Sequence, residues 1–186
     1  MIDNYQLKKC NMRFLATITG LTLFLTLNAN QGGEKIIWYS FEEAIELAGK
    51  NPRKLLVDIY TDWCGFCKRM DAETFSDPQV ARFINRHFYP VKFNSETKDT
   101  IYFQGHEFIN DGEGRRSAHQ LSIAMLQGQM SYPSIVYFNE DLEMITAVPG
   151  FRTPGQIEPI LRYIGENHYK NTSWENFQRD FNGTFE

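Results

Sequence analysis

The feature that most constrains the fold of this chain is an apolar run that leads directly into a pair of cysteines. Lys54–Tyr60 is mostly apolar and lacks regular alternation, which is typical of a strand buried on both faces of a sheet. Cys64 follows shortly after this run, where a helix can begin, and Cys67 then lies about one helical turn further along. The segment therefore predicts a buried strand, a short turn and a helix that carries both cysteines at its N-terminus.

Strand-like and helix-like patterns alternate on either side of this segment. Short apolar runs predict strands, and capping residues ahead of periodic apolar positions predict helix starts. The predicted strands are Lys35–Tyr39, Lys54–Tyr60, Phe88–Asn94, Ser134–Phe138 and Met144–Ala147, and further helices are predicted to start at Ser40, Asp77–Pro78, Thr153–Pro154 and Ser173. This alternation indicates an α/β fold.

Residues 95–116 interrupt the alternation. They are polar, punctuated by glycine and without a clear period, and a stretch of that length in a compact domain is usually functional or poorly ordered. We therefore predict a long loop insertion there. Its charged residues are better explained by a solvated loop than by a recognition patch; they are His106, Asp111, Glu113, Arg115 and Arg116.

Residues 1–29 have the order of a secretory signal peptide. Lys8, Lys9 and Arg13 precede an apolar run of 14 residues, and Ala29 provides a small residue near a cleavage site. The run is shorter than the about 20 residues that a membrane-spanning helix needs, which disfavours an uncleaved anchor. We expect cleavage near Ala29 and a mature protein in the periplasm or outside the cell.

The charge balance argues against a generic nucleic-acid binder. Lys plus Arg number 19 against 23 for Asp plus Glu, a net charge of −4. Removal of residues 1–29 takes away three basic residues and one acidic residue, so the mature chain carries −6. Nucleic-acid binders carry a basic excess instead. The length of 186 residues suits one domain with at most an appendage.

The chemistry of the mature chain centres on its two cysteines, Cys64 and Cys67. At a helix N-terminus, unpaired backbone N–H groups and the helix dipole favour a thiolate. A thiolate with a second cysteine one turn away is what thiol–disulfide exchange requires. A zinc site would need two further ligands, and the histidines are not paired at ligand spacing: His87, His106, His119 and His168.

Two other classes of function remain open on the residues alone. A metal-delivery protein could hold a soft ion such as Cu(I) between the two thiolates, because such binding needs no histidine. A peptide-binding or chaperone-like module could keep the cysteines as vestiges. The first alternative predicts copper that co-purifies with the protein, and the second predicts a cellular role that survives loss of both cysteines.

The residues around the cysteines resemble the thioredoxin superfamily. Trp63–Lys68 reads Trp-Cys-Gly-Phe-Cys-Lys, where thioredoxins carry Trp-Cys-Gly-Pro-Cys-Lys after a buried strand. Asp58 stands six residues before the first cysteine, as the family's aspartate does. Tyr132-Pro133 occupies the place of the family's cis-proline, and Gly150 matches a family glycine. The chain is similar to the exported thioredoxin-like proteins of bacterial envelopes.

This resemblance implies a thioredoxin fold: a central mixed sheet of four or five strands with helices on both faces. We assign the thioredoxin-like domain to residues 34–170 and an aromatic, helical appendage to residues 171–186. The implied activity is thiol–disulfide exchange with the thiols and disulfides of exported proteins. A membrane or periplasmic redox partner would recycle the pair, and no bound cofactor or metal is implied. The oligomeric state is left open.

The resemblance also assigns roles to individual residues. Cys64 would be the attacking cysteine and Cys67 the resolving one. Asp58 would lie buried beneath them and accept the proton of Cys67, because desolvation raises the pKa of a buried carboxyl group. Lys92 matches the family lysine beside this aspartate. The alternatives are an Asp58 that merely ends a strand in a polar cluster, and a Lys92 that reaches solvent from a strand edge.

Partner binding is expected from Trp63, Gly65, Phe66, Tyr132 and Pro133. Phe66 and Tyr132 depart from thioredoxin, which has proline at the first position and a smaller residue at the second. Either aromatic residue could instead serve packing alone. Because the residues between the cysteines tune the pair's potential, the direction of electron flow depends on them. The Cys-Gly-x-Cys pattern together with Asp58 favours a reductase.

Overall fold

The computed structural model describes residues 33–185, so the predicted signal peptide of residues 1–29 lies outside the described part of the chain. The helices are α1 (Phe41–Lys50), α2 (Gly65–Glu73), α3 (Pro78–His87), α4 (Gln120–Met125), α5 (Pro154–Gly165) and α6 (Trp174–Asp180), with a short 3₁₀ helix at His168–Lys170. The strands are β1 (Lys54–Tyr60), β2 (Phe88–Asn94), β3 (Ile101–Phe103), β4 (His106–Phe108), β5 (Ser134–Phe138) and β6 (Met144–Pro149). No helix within residues 33–185 is long and apolar enough to span a membrane.

Four of these strands form the central sheet, in the order β2-β1-β5-β6. β1 pairs parallel with β2 and antiparallel with β5, and β5 pairs antiparallel with β6. The sheet is therefore mixed, and helices cover it on both sides, which confirms the predicted fold class. The register places Asp58 of β1 opposite Lys92 of β2 and Ile135 of β5.

Strand β1 is mostly apolar and is buried on both faces of the sheet. Leu55 and Val57 belong to the core beneath α1 and α4, whereas Leu56 belongs to the core beneath α3 and α5. Successive side chains of a strand point to opposite faces, so Asp58 shares the face of Leu56. The one carboxyl group of this strand is thus buried on the side of the sheet that also receives Met70 of α2.

The helix starts follow the capping residues in the sequence. Ser40 and Glu43 form a complete capping box at α1, and Asp77 accepts the N–H groups of Gln79 and Val80 at the start of α3. The strand predicted over Lys35–Tyr39 is wrong. That segment makes only an isolated parallel bridge between Tyr39 and Val91.

The insertion at residues 95–116 is more ordered than its sequence predicts. It contains the antiparallel hairpin of β3 and β4, and Ile101 at its base is buried in the core beneath α1. The ammonium group of Lys98 donates to four oxygens at 2.9–3.2 Å, on Asn110, Gly112 and Ser117. One exposed lysine therefore connects three residues of this segment.

The C-terminal appendage forms the predicted helix and packs on α5. Tyr163 contacts the rings of Trp174 and Phe177, each at a centroid distance of 5.2 Å. Glu158, fully buried in α5, accepts the backbone N–H groups of Thr184 and Phe185, each at 2.8 Å. The chain end described by the structure is thus fixed to the domain.

Candidate active site

The two cysteines lie where β1 passes into α2, at one edge of the central sheet. Cys64 is the N-cap residue of α2, and its backbone N–H donates to the Thr61 carbonyl at 3.1 Å. Its sulfur accepts the backbone N–H of Cys67 at 3.1 Å, and the two sulfurs form a disulfide. The sulfur of Cys64 therefore takes the position that a capping oxygen occupies in other helices.

The start of α2 provides a favourable field for a thiolate at Cys64. The unpaired N–H groups of a helix N-terminus carry a partial positive charge, and α2 has no acidic residue in its first turn to neutralise it. Gly65 and Phe66 occupy that turn. Both cysteines are almost completely buried, whereas Trp63 is 48% exposed and Phe66 60% exposed. Each buried cysteine thus directly follows an exposed aromatic residue in the chain.

Asp58 lies on the central strand and is only 1% exposed. Its Oδ2 accepts a hydrogen bond from Lys92 Nζ at 2.6 Å, and its Oδ1 has no hydrogen-bond partner among the described residues. Burial raises the pKa of Asp58 to about 6, although the charge of Lys92 opposes this rise. Such a carboxyl group changes protonation near neutral pH, as a proton acceptor at a reactive site must.

Lys92 connects Asp58 to helix α2. Its ammonium group also pairs with the carboxylate of Asp71. The rings of Trp38, Tyr60 and Phe75 surround the ammonium group at centroid distances of 5.0–5.4 Å. Burial lowers the pKa of Lys92, but the two carboxylates outweigh burial and hold that pKa above its ordinary value.

The contact between Lys92 and Asp71 also shows which face of α2 carries Cys67. Cys67 and Asp71 are four residues apart on α2, so they lie on the same face of the helix, one turn from each other. That face is directed at Lys92 and, through it, at Asp58. Cys67 and the buried carboxyl group of Asp58 therefore lie on the same side of the sheet.

A cis peptide bond between Tyr132 and Pro133 lies at the same edge. Ser134 pairs with Ile59 near the carboxyl end of β1, so the residues before it lie beside the turn that leads to Cys64. The Pro133 carbonyl accepts the Gly150 N–H at 2.7 Å, and Gly150 has the positive φ of 89° that favours glycine. This hydrogen bond joins the loop before β5 to the end of β6.

Trp63 is held by three side chains. Its indole N–H donates to Glu96 at 2.7 Å, its ring meets the edge of the Tyr132 ring at 6.0 Å, and the guanidinium of Arg116 lies 4.7 Å from its ring centre. The Tyr132 hydroxyl in turn hydrogen bonds to the buried Ser95 at 2.7 Å. Arg116 is exposed, as expected for a solvated loop, and its guanidinium also contacts the Trp63 ring.

The structure groups the residues proposed from the sequence into two contacts around the disulfide, Asp58 with Lys92 and Trp63 with Tyr132. Sequence reasoning missed three residues that complete them: Asp71, Glu96 and Arg116. The acidic residue four positions after Cys67 was a usable signal for Asp71, because i and i+4 positions share a helix face. Among residues 33–185, no group of three or more His, Cys, Asp or Glu is placed to hold a metal ion.

Comparison with known proteins places this site in a family context. A family described as a thioredoxin-like domain matches residues 41–165. The thiol:disulfide interchange protein DsbD of Photorhabdus laumondii is 26% identical over 128 residues, which are 67% of this chain and 19% of that protein. The chain spans about a fifth or less of the length of the curated relatives it matches.

Two solved structures are similar in fold. A thioredoxin from Thermus thermophilus has a TM-score of 0.52 and 20% identity, over 75% of this chain and 99% of that one. A proposed disulphide-isomerase from Bacteroides thetaiotaomicron has a TM-score of 0.50 and 26% identity, over 72% of this chain and 95% of that one. Both support the same mixed sheet with flanking helices.

Proposed function

This chain belongs to the thioredoxin-like domain family, and on that premise we propose that it is a thiol–disulfide oxidoreductase that reduces exported proteins through Cys64 and Cys67. The observation that carries the proposal is that the protein has both a disulfide at the N-terminus of α2 and a buried carboxyl group, Asp58, whose pKa is about 6. The first feature stabilises a thiolate, and the second provides a proton acceptor.

The exchange proceeds in two balanced steps. In the reduced protein, the Cys64 thiolate attacks one sulfur of a partner's disulfide, that S–S bond breaks, and the other partner sulfur leaves as a thiolate. A mixed disulfide now joins Cys64 to the partner. Cys67 then loses its proton to Asp58 and attacks the Cys64 sulfur. The mixed disulfide breaks, the Cys64–Cys67 disulfide forms, and the second partner sulfur leaves as a thiolate. The partner, now with two electrons more, becomes a dithiol by taking up one proton from Asp58 and one from solvent.

Lys92 and Asp71 serve this chemistry indirectly. Lys92 holds the carboxylate of Asp58 in place by the hydrogen bond at 2.6 Å, and Asp71 holds Lys92 from the side of α2. Without Lys92, the buried carboxylate would lack its one charged neighbour of opposite sign. Both are positioning residues, because they act through Asp58.

The partner site is assigned to the surface around Trp63 and the cis peptide at Tyr132-Pro133. An extended partner segment can pair with the backbone at that peptide while its apolar side chains contact Trp63 and Phe66. The exposed Trp63 and Phe66, each directly before a buried cysteine in the chain, support this assignment, because they offer apolar contact area close to the cysteines.

The direction and the location of the reaction are part of the same proposal. The Cys-Gly-x-Cys pattern with Asp58 favours donation of electrons to the partner. The signal-peptide pattern of residues 1–29 supports action on exported proteins. A reductase outside the cytoplasm needs a supply of electrons, so a second dithiol protein, facing or crossing the membrane, must reduce the Cys64–Cys67 disulfide after each cycle.

Trapping of the mixed disulfide tests the proposal. Cys67→Ser leaves the attacking cysteine without its resolving partner, so it should accumulate a covalent adduct with a disulfide-containing substrate protein. Cys64→Ser is the matched control and should form far less adduct, because the remaining cysteine does not occupy the N-cap position of α2 that stabilises a thiolate. Equal adduct from both variants would contradict the assigned roles, and no adduct from either would contradict the exchange chemistry.

A further inference from the structure

The insertion at residues 95–116 supplies two charged contacts to the active-site tryptophan. Glu96 accepts the indole N–H of Trp63 at 2.7 Å, and the guanidinium of Arg116 lies 4.7 Å from the ring centre. The two groups differ in what remains available to a partner. Glu96 already binds the indole, whereas Arg116 is exposed and makes no ion pair or side-chain hydrogen bond with the residues that the structure describes.

An arginine stacked on an aromatic ring keeps its N–H groups available at the edge of the guanidinium plane. Those N–H groups match a carboxylate in a bidentate geometry. Lys68, directly after Cys67, is a second exposed cation without an ion pair among residues 33–185. Asp62, directly before Trp63, is exposed and carries the opposite charge. Two carboxylates therefore lie near Trp63, those of Asp62 and Glu96, but Glu96 is engaged by the indole, whereas the N–H groups of Arg116 remain available to a partner.

The net charge of the whole chain is opposite in sign to that of Arg116, so attraction of an acidic segment would have to come from individual cations near the disulfide. The chain carries −4 overall, so its average field repels an acidic segment. Exposed charges act over about 10 Å at ordinary ionic strength, so the groups nearest the disulfide determine which segments can approach it. Trp63 is bonded directly to Cys64 in the chain, so Arg116 contacts the residue next to the cysteine pair.

We propose that Arg116 is a specificity-determining residue that selects partner segments with a carboxylate next to the reacting cysteine. The proposal rests on the proposed thiol–disulfide exchange and names the class of substrate for that site: acidic, cysteine-containing segments. Arg116 would bind the partner's carboxylate while the partner's sulfur meets Cys64. The insertion at residues 95–116 would then contribute to partner choice, in addition to holding Trp63.

A set of matched peptides tests this inference with the full-length protein. Three disulfide-containing peptides would differ only in the residue next to the cysteine, which is Glu, Gln or Lys, and the rate constant for their reduction by the reduced protein would be measured. We expect the Glu peptide to react about tenfold faster than the Lys peptide, a typical size for one interfacial charge pair. The ratio should fall as salt is added.

Neighbouring residues provide the control variants. Arg116→Gln should remove most of the preference, and Arg116→Glu should reverse it. Arg115→Gln removes the same charge one residue earlier, where no contact with Trp63 is made, and should retain the preference. Asp62→Asn should enlarge the preference, because it removes the opposing carboxylate.

The outcomes separate this inference from the function on which it rests. If none of the peptides is reduced, the proposed exchange activity fails and the inference fails with it. If all three are reduced at equal rates, the exchange activity stands and the inference is overturned. Loss of the preference in Arg115→Gln to the same extent as in Arg116→Gln would also overturn the inference. The preference would then depend on the overall charge of the protein and not on the position of Arg116.

Discussion

Lys92 faces Asp58 directly across the parallel pair of β1 and β2, with Lys92 Nζ 2.6 Å from Asp58 Oδ2. The contact joins a fully buried carboxylate to an ammonium group that also reaches Asp71 on the helix of the cysteines. Half of the Asp58 carboxylate nevertheless lacks a hydrogen bond among the described residues. The pair is therefore only partly compensated, which is expected to decrease stability and to promote proton transfer.

Asp58→Asn should stabilise the protein at alkaline pH. Burial raises the pKa of Asp58 from 3.8 to about 6, so the folded state binds the proton more tightly than the unfolded state does. This group's contribution to stability is therefore greatest below pH 3.8, falls as the pH rises to about 6, and is constant above that. The difference corresponds to roughly 2–3 kcal/mol. Urea unfolding at pH 5 and pH 8 measures about half of it, roughly 1.4 kcal/mol, because only the part of the window from pH 5 to about 6 is crossed.

The comparison between the two pH values provides the control. Asp58→Asn should exceed wild type in free energy of unfolding at pH 8 and exceed it by less at pH 5. Asp62→Asn removes an exposed carboxylate and should change the free energy of unfolding by about 0.5 kcal/mol or less. A variant less stable than wild type at pH 8 would show that the ion pair with Lys92 outweighs the burial of the charge.

The same substitution should slow the resolution step of the exchange reaction. Above a pH of about 6 the carboxylate of Asp58 is deprotonated and can accept the Cys67 proton, so the rate of resolution should rise through this pH in the wild type. Asp58→Asn should abolish this rise and should decrease the rate of resolution about 100-fold, which is the lower end of general-base effects. Stopped-flow release of a thiol leaving group from the mixed disulfide measures the step. An unchanged pH profile would exclude Asp58 as the acceptor.

Lys92→Met should destabilise the protein in a pH-dependent manner. Removal of the ammonium group leaves the Asp58 carboxylate buried without a charged partner, which typically costs about 3 kcal/mol or more. The pKa of Asp58 should rise further, because Lys92 is the neighbour that opposes its increase. The loss should therefore be largest at pH 8 and smaller at pH 5, where the carboxyl group is neutral. Lys68→Met, at an exposed lysine, is the control, and an equal loss at both pH values would contradict the argument.

Lys98→Met should loosen the insertion without unfolding the domain. The four oxygens that accept hydrogen bonds from the Lys98 ammonium group would lose their shared donor. Amide hydrogens of β3 and β4 should exchange faster, whereas those of β1 should keep their protection. Hydrogen exchange measured by mass spectrometry resolves the two regions. Unchanged exchange in the hairpin would show that the buried Ile101 alone fixes it.

The central strand and the cysteine helix could be predicted from the sequence because their signals are local. The apolar run of β1, the capping residues Ser40 and Asp77, and the position of Cys64 after a buried strand each depend on neighbours in the chain. The strands β3 and β4 could not, because three residues are too few to show an alternation. Lys35–Tyr39 has the composition of a strand, yet the fold gives it only one bridge.

The contacts that complete the candidate site depend on tertiary structure. Lys92 and Asp71 are 21 residues apart, and Arg116 reaches Trp63 from an insertion whose sequence has no period. Charge alone did not distinguish Arg116 from Arg115 in the sequence, although of these two arginines the structure places only the Arg116 guanidinium over the Trp63 ring. Sequence patterns therefore predicted the reactive pair and its buried carboxyl group, but not the residues that hold or flank them.

The reduction potential of the Cys64–Cys67 pair tests the central claim most directly. The full chain, with Cys10→Ser so that only this pair reacts, would be equilibrated with defined dithiol buffers and its thiols trapped. We predict a reversible two-electron titration near thioredoxin's value of about −270 mV. A value toward about −120 mV would make the protein an oxidant and contradict the proposed direction. If the pair did not titrate reversibly, the exchange chemistry itself would be contradicted.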